Sequence, residues 1–159
     1  MGTLPQLLEE DIQRLDDALR EFLQRSDATT ALILDKGGFV ITYQGDSRHY
    51  DVTTIGALAS GAYLANQTIA GLVNEENFDS VYQQGDKSSM LVTNVDEHAL
   101  LLVVFQAEVG VGTVKYHAGP CREVIAGTLK SAKERDPDTG IDLSVLNVVD
   151  TTEFFKRRG

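Results

Sequence analysis

From Ala99 to Phe105 the chain reads ALLLVVF, an unbroken apolar run of strand length. No other feature limits the possible folds as tightly. Successive side chains of a strand point to opposite faces, so a strand with one wet face alternates polar and apolar residues. A strand apolar at every position has both faces covered. Ala31 to Leu34, ALIL, has the same character. Two such segments predict central strands of a sheet carrying helices on both sides. The longer run is far short of the roughly 20 residues that span a bilayer, so it is read as a strand and no membrane insertion is expected.

The remaining elements follow from periodicity. Leu8, Ile12, Leu15, Leu19, Phe22 and Leu23 recur at intervals of three and four among charged residues, which predicts an amphipathic helix ending near Arg25 to Ala28. Thr3 with Gln6 has the form of a capping box, and Pro5 suits a first helical turn. Thr30 to Leu34 and Phe39 to Tyr43, separated by Asp35-Lys36-Gly37-Gly38, read as a β-hairpin. Asp51 is placed to cap a long helix running to about Val73. Ser80 to Gln84, Ser88 to Asn94 and His98 to Phe105 read as a three-stranded meander. A third helix lies between Val111 and Glu134, with Val114, Ala118, Cys121, Ile125 and Leu129 on one stripe and Gly119-Pro120 as a kink or delay.

The order αββαβββα predicts an α+β fold: about five strands, mostly antiparallel, with helices on both faces. At 159 residues there is room for one such domain, expected over residues 1–134. Residues 135–159 form a linker and a C-terminal tail. The tail carries Ile141, Leu143, Val145, Leu146, Val148, Val149, Phe154 and Phe155, and is expected to dock on a partner or on a dimer.

Fourteen Lys+Arg against 24 Asp+Glu give a formal charge of −10. Such a field repels phosphate backbones, so nucleic acid is not an expected partner. Cys121 is the single cysteine and has no partner for an internal disulfide. Glu9, Glu10 and Asp11 stand near the N-terminus, where a targeting segment would be basic and then apolar. The chain is therefore read as cytoplasmic.

Residues with catalytic potential are scattered. His49, His98 and His117 fall in separate elements, none in a metal-binding spacing. His117 and Cys121 could share one helix face, as nucleophilic catalysis would require, but no third member orients them, and Cys121 sits on the apolar stripe. Gly110-Val111-Gly112-Thr113-Val114-Lys115 opens a helix after a strand without the spacing of a phosphate loop. Asn66-Gln67-Thr68 has the form of a glycosylation sequon in mid-helix and is expected to be unmodified. The acidic clusters Glu9-Glu10-Asp11 and Asp16-Asp17 read as a solvated helix face, and Arg48 as a surface loop arginine. No metal, cofactor or active site is expected.

The helix from Val52 to Val73 contains no charged residue, which is odd for an element with a face in water. A helical wheel puts Ile55, Leu58, Ala62, Ala65, Ile69, Leu72 and Val73 on one side, read as the core face. Gly56, Ser60, Tyr63, Leu64, Gln67 and Gly71 fall opposite. Together with Gly61 and Thr68, these are read as a partner-binding stripe, small enough for close approach by another helix.

Ala31-Leu32-Ile33-Leu34-Asp35-Lys36-Gly37-Gly38-Phe39-Val40-Ile41, then Leu58-Ala59-Ser60-Gly61-Ala62, then the strand ending Val104-Phe105 before a glycine-containing helix start, resemble roadblock/LC7 domains. More narrowly, they resemble the bacterial MglB type. The resemblance covers about Leu8 to Leu129. It implies a profilin-like fold and pairing as a homodimer or with another roadblock chain. It further implies binding of a small Ras-like GTPase of the MglA type, whose hydrolysis is promoted by reshaping its own switch regions, without a lent arginine. The resemblance also places Ser60, Leu64 and Thr68 on the partner-facing side of the second helix. Close relatives carry mostly alanine there, and Leu64 and Thr68 are bulkier. The alternative expectation is a dimeric adaptor for a polarity, motility or motor assembly.

Overall fold

The computed structural model describes residues 4–135. Helix α1, Glu9–Ser26, buries Leu15, Leu19 and Phe22 of its predicted stripe, and Ala18 beside them. It begins later than the Thr3/Gln6 pattern suggested. The Leu8 N–H donates to the Asp11 carboxylate at 2.8 Å, so Asp11 satisfies a helix-start donor from inside the first turn. Thr3 lies outside the described residues.

Strands β1, Thr30–Asp35, and β2, Val40–Gly45, form the expected hairpin with a register irregularity at Ile33/Leu34. Its turn is closed by the Asp35 carboxylate, which accepts from the Gly37 N–H at 2.6 Å, and by Gly38 at φ +104°. A side chain at Gly38 would be strained by that φ and would also come within 3.3 Å of the Ala57 backbone.

Helix α2, Val52–Leu72, starts at Asp51, whose carboxylate accepts from the Thr53 and Thr54 N–H groups. Strands β3, Ser80–Gln84, β4, Ser88–Asn94, and β5, Ala99–Gln106, form the meander, and helix α3 spans Val111–Arg135. Pro120 lies inside α3 without ending it. All five predicted α3 stripe residues are buried.

The strands lie in the order β2-β1-β5-β4-β3, every neighbouring pair antiparallel. All positions of β1 are buried, as are all of β5 except Val104, which is partly buried, and Gln106. These are the two consecutively apolar segments, and their side chains divide by parity. Ala31, Ile33, Leu101, Val103 and Phe105 join Leu91 under α1 and α3. Leu32, Leu34, Leu100 and Leu102 join Val92 under α2. The sheet is therefore a wall with two helices on one side and a single helix on the other. One helix cannot cover five strands, and the sheet beside α2 stays partly open.

The acidic face of α1 is not wholly solvated. Asp11 is fully buried and accepts from the Arg135 guanidinium at 2.7 Å, tying the start of α1 to the end of α3. The linker and apolar tail expected over 135–159 lie, from residue 136 onward, outside the described residues.

Candidate functional site

The orientation of α2 is the reverse of the sequence expectation. Gly56, Ala59, Ser60, Tyr63 and Ala70 face the sheet and are buried. Leu58 is 70% exposed and Leu72 78%, and Ala62, Ala65, Ile69 and Val73 are also exposed. Of the residues read as a core face, only Ile55 packs partly against the core.

Close packing explains the reversal. A Cβ on Gly56 would stand 3.0 Å from side-chain atoms of both Leu34 and Val40, so the helix axis approaches the sheet through a glycine. Ser60 is buried because its hydroxyl donates to the Lys36 carbonyl at 2.6 Å, at the hairpin turn. Tyr63 is buried with its hydroxyl 3.4 Å from the Phe78 carbonyl. Small and hydrogen-bonded residues therefore form the inner face, and the bulky aliphatic ones are left outside.

The eight residues read as a partner stripe accordingly separate. Gly56, Ser60 and Tyr63 hold the helix on its own sheet. Gln67 is half-buried: its amide donates to the Phe78 carbonyl at 3.1 Å and accepts from the Phe78 N–H at 3.2 Å, anchoring the loop into β3. Gly61, Leu64, Thr68 and Gly71 are exposed. Leu58, Ile69 and Leu72, which the wheel argument assigned to the core, lie on the same outward side. A wheel ranks faces by apolarity, and here the more apolar face is the outer one.

This outer face continues into a groove of about 590 Å³ between α2 and the uncovered part of the sheet. Ile55, Leu58 and Ala62 form one wall, Met90 and Val104 the floor, and Gln83 and Gln84 of β3 the far side. Beyond the groove, β3 is an edge strand. Among the described residues its outer backbone groups have no neighbouring strand, and such an edge can pair with another chain.

Of the residues with catalytic potential, His117 and Cys121 line one groove between α1 and α3, and Arg48, His49 and His98 are not part of it. Cys121 is buried, its thiol directed at the Ala18 carbonyl at 3.7 Å, and burial pushes its pKa up to about 12. Such a thiol is protonated at neutral pH and is no nucleophile. His117 meets Tyr116 edge-on at 5.1 Å. Arg48 is held by both carboxylate oxygens of Asp46, at 3.0 and 2.9 Å, and this ion pair draws the Asp46 carboxyl far below its usual range. Among the described residues, no group of His, Cys, Asp and Glu could hold a metal ion, and no helix is long and apolar enough to cross a membrane.

The family model for the roadblock/LC7 domain matches residues 14–105. Among solved structures, the chain is similar to an MglB protein in a tetrameric arrangement: 27% identity and a TM-score of 0.77 over 83% of this chain and 99% of that one. It is also similar to the gliding protein MglB of Thermus thermophilus, with 28% identity and a TM-score of 0.74 over 82% and 99% of the two chains. Myxococcus xanthus MglB, at 22% identity, has the same fold with a TM-score of 0.74 over 80% and 96%. No curated protein matches the chain. Sheet order, helix placement and the family match over more than half the sequence agree, and the chain belongs to the roadblock/LC7 family.

Proposed function

We propose that this chain is a homodimeric regulator that binds a small Ras-like GTPase of the MglA type and promotes GTP hydrolysis without an active site of its own. The observation that carries the reading is the outer face of α2. Leu58, Leu64, Ile69 and Leu72 stand exposed on a helix without a single charge. Covering one such side chain completely is worth about 1.5–3 kcal/mol, so a partner has a strong reason to settle there. The similarity to MglB proteins supports the same class of role.

The chemistry is conformational. A regulator that binds the hydrolysis-competent arrangement of the switch loops more tightly than other arrangements shifts the population toward it, by tenfold for each 1.4 kcal/mol of preference. Arg48 is engaged by Asp46, which fits a regulator that lends no arginine. The open edge of β3 beside the same helix suits a twofold contact in which identical surfaces meet. Dimer partner and GTPase would then divide the α2 face between them.

A dimeric adaptor for a polarity, motility or motor assembly would use the same uncharged face, since apolar area alone supports a lasting contact as readily as a transient one. Titrating the chain into its GTPase while following both complex formation and GTP turnover separates the two. Binding with acceleration supports the regulator, binding at unchanged turnover selects the adaptor, and no binding removes the regulator.

A further inference from the structure

A second apolar groove lies on the opposite side of the sheet, between α1 and α3. It encloses about 450 Å³ and is lined mainly by Ala18, Phe22, Tyr116, Pro120, Cys121 and Val124, with Glu21, Arg25 and His117 completing the lining. Tyr116 is 77% exposed and Val124 49%, so two large side chains of α3 stand uncovered at its rim. The groove also offers a polar contact. Pro120 has no N–H, so the Tyr116 carbonyl, four residues back, lacks its intrahelical donor. The two charges in the lining, Glu21 and Arg25, pair with each other at 2.9 Å, so an uncharged occupant would strand neither.

We propose that segment 141–149, IDLSVLNVV, returns in cis along α3 and occupies this groove. The reach is right. Cys121 lies 14 residues before Arg135, about 21 Å along a helix rising 1.5 Å per residue. Residues 136–140, DPDTG, contain the Pro, Asp and Gly of a chain reversal. From Ile141 an extended chain advancing about 3.3 Å per residue covers that distance in roughly six residues. Val145 to Val149 then arrive beside Pro120 and Cys121. Asp142 is the only charge in the segment, and its β-branched residues favour an extended form whose backbone N–H groups can donate to the Tyr116 carbonyl. The α2 groove suits this segment less well, because α3 leaves the chain on the α1/α3 side of the sheet. The assignment does not depend on the proposed function, and it leaves α2 free for partners.

The test is photo-crosslinking of the full chain with p-benzoylphenylalanine in place of Val148, the products mapped by mass spectrometry. Crosslinks within one chain to Ala18, Phe22 or the stretch Tyr116 to Val124 are expected. Adding Val124→Arg, which puts a charge into the apolar groove, is expected to lower their yield about tenfold at an unchanged melting temperature. Crosslinks to α2, to a strand or to a second chain overturn the proposal. So does the absence of any crosslink, or a yield that Val124→Arg leaves unchanged.

Discussion

The Ser60 hydroxyl donates to the Lys36 carbonyl at 2.6 Å, and this bond joins the middle of α2 to the β1–β2 turn. Together with the close approach at Gly56, it holds one side of an uncharged helix against the sheet. Ser60→Ala removes the donor and leaves a carbonyl with reduced satisfaction, for an expected loss of about 1 kcal/mol. Ser60→Leu adds volume at a closed contact, and the expected loss is larger, about 1–3 kcal/mol. Urea unfolding with unchanged m-values measures both.

The reversed orientation of α2 separates inside from outside by mutation. Gly56→Leu drives a side chain into Leu34 and Val40, and should destabilise by about 1–3 kcal/mol. Leu58→Asp and Leu72→Asp alter residues that touch little of their own chain, and stability should stay within about 0.5 kcal/mol of the parent. Sedimentation of the same variants should show association lost for the two aspartates. If Leu58→Asp proved the most destabilising of the three, α2 would have to be turned over.

These contrasts mark what the sequence could and could not tell. The positions of all eight elements were legible, because hydrophobic period, turn residues and the Asp51 cap act locally. The central strands were legible too, since only doubly covered strands are apolar at every position. The outward face of α2 was not. Wheel reasoning assumes that the most apolar face is buried by its own chain, and it fails where small residues pack closest and the large ones are left exposed. Burial of Asp11 escaped notice for a related reason. Its partner Arg135 is 124 residues away, and no local pattern links the two.

The Asp11–Arg135 pair makes stability depend on pH. The hydrogen bond from Arg135 is the main reason that the Asp11 carboxyl lies below its ordinary value near 3.8, against the opposing effect of burial. A group with a depressed folded pKa contributes stability above its unfolded pKa and loses it as pH falls through the folded value. Between about pH 5 and pH 2 the parent should therefore lose more stability than Asp11→Asn. At neutral pH, Asp11→Asn should be the less stable by about 1.5–3 kcal/mol. Thermal unfolding across that pH range measures both effects.

Cys121 should behave as a packing residue. With its pKa pushed up to about 12, alkylation by iodoacetamide at pH 7.5 should be far slower than for an exposed thiol. Cys121→Ala should leave partner binding and any effect on GTP turnover unchanged. Rapid labelling of the folded chain would contradict the buried, protonated state.

The central claim is that the outer face of α2 carries the regulatory contact. Its most direct test is the single-turnover rate of GTP hydrolysis by the cognate Ras-like GTPase, with the parent chain and with Leu64→Asp. Leu64 is half exposed and outward, so its replacement should spare the fold. The account expects acceleration by the parent and at least about a tenfold loss of it with Leu64→Asp, corresponding to 1.4 kcal/mol of contact energy. A rate unchanged by the parent chain, or acceleration that survives Leu64→Asp intact, would contradict it.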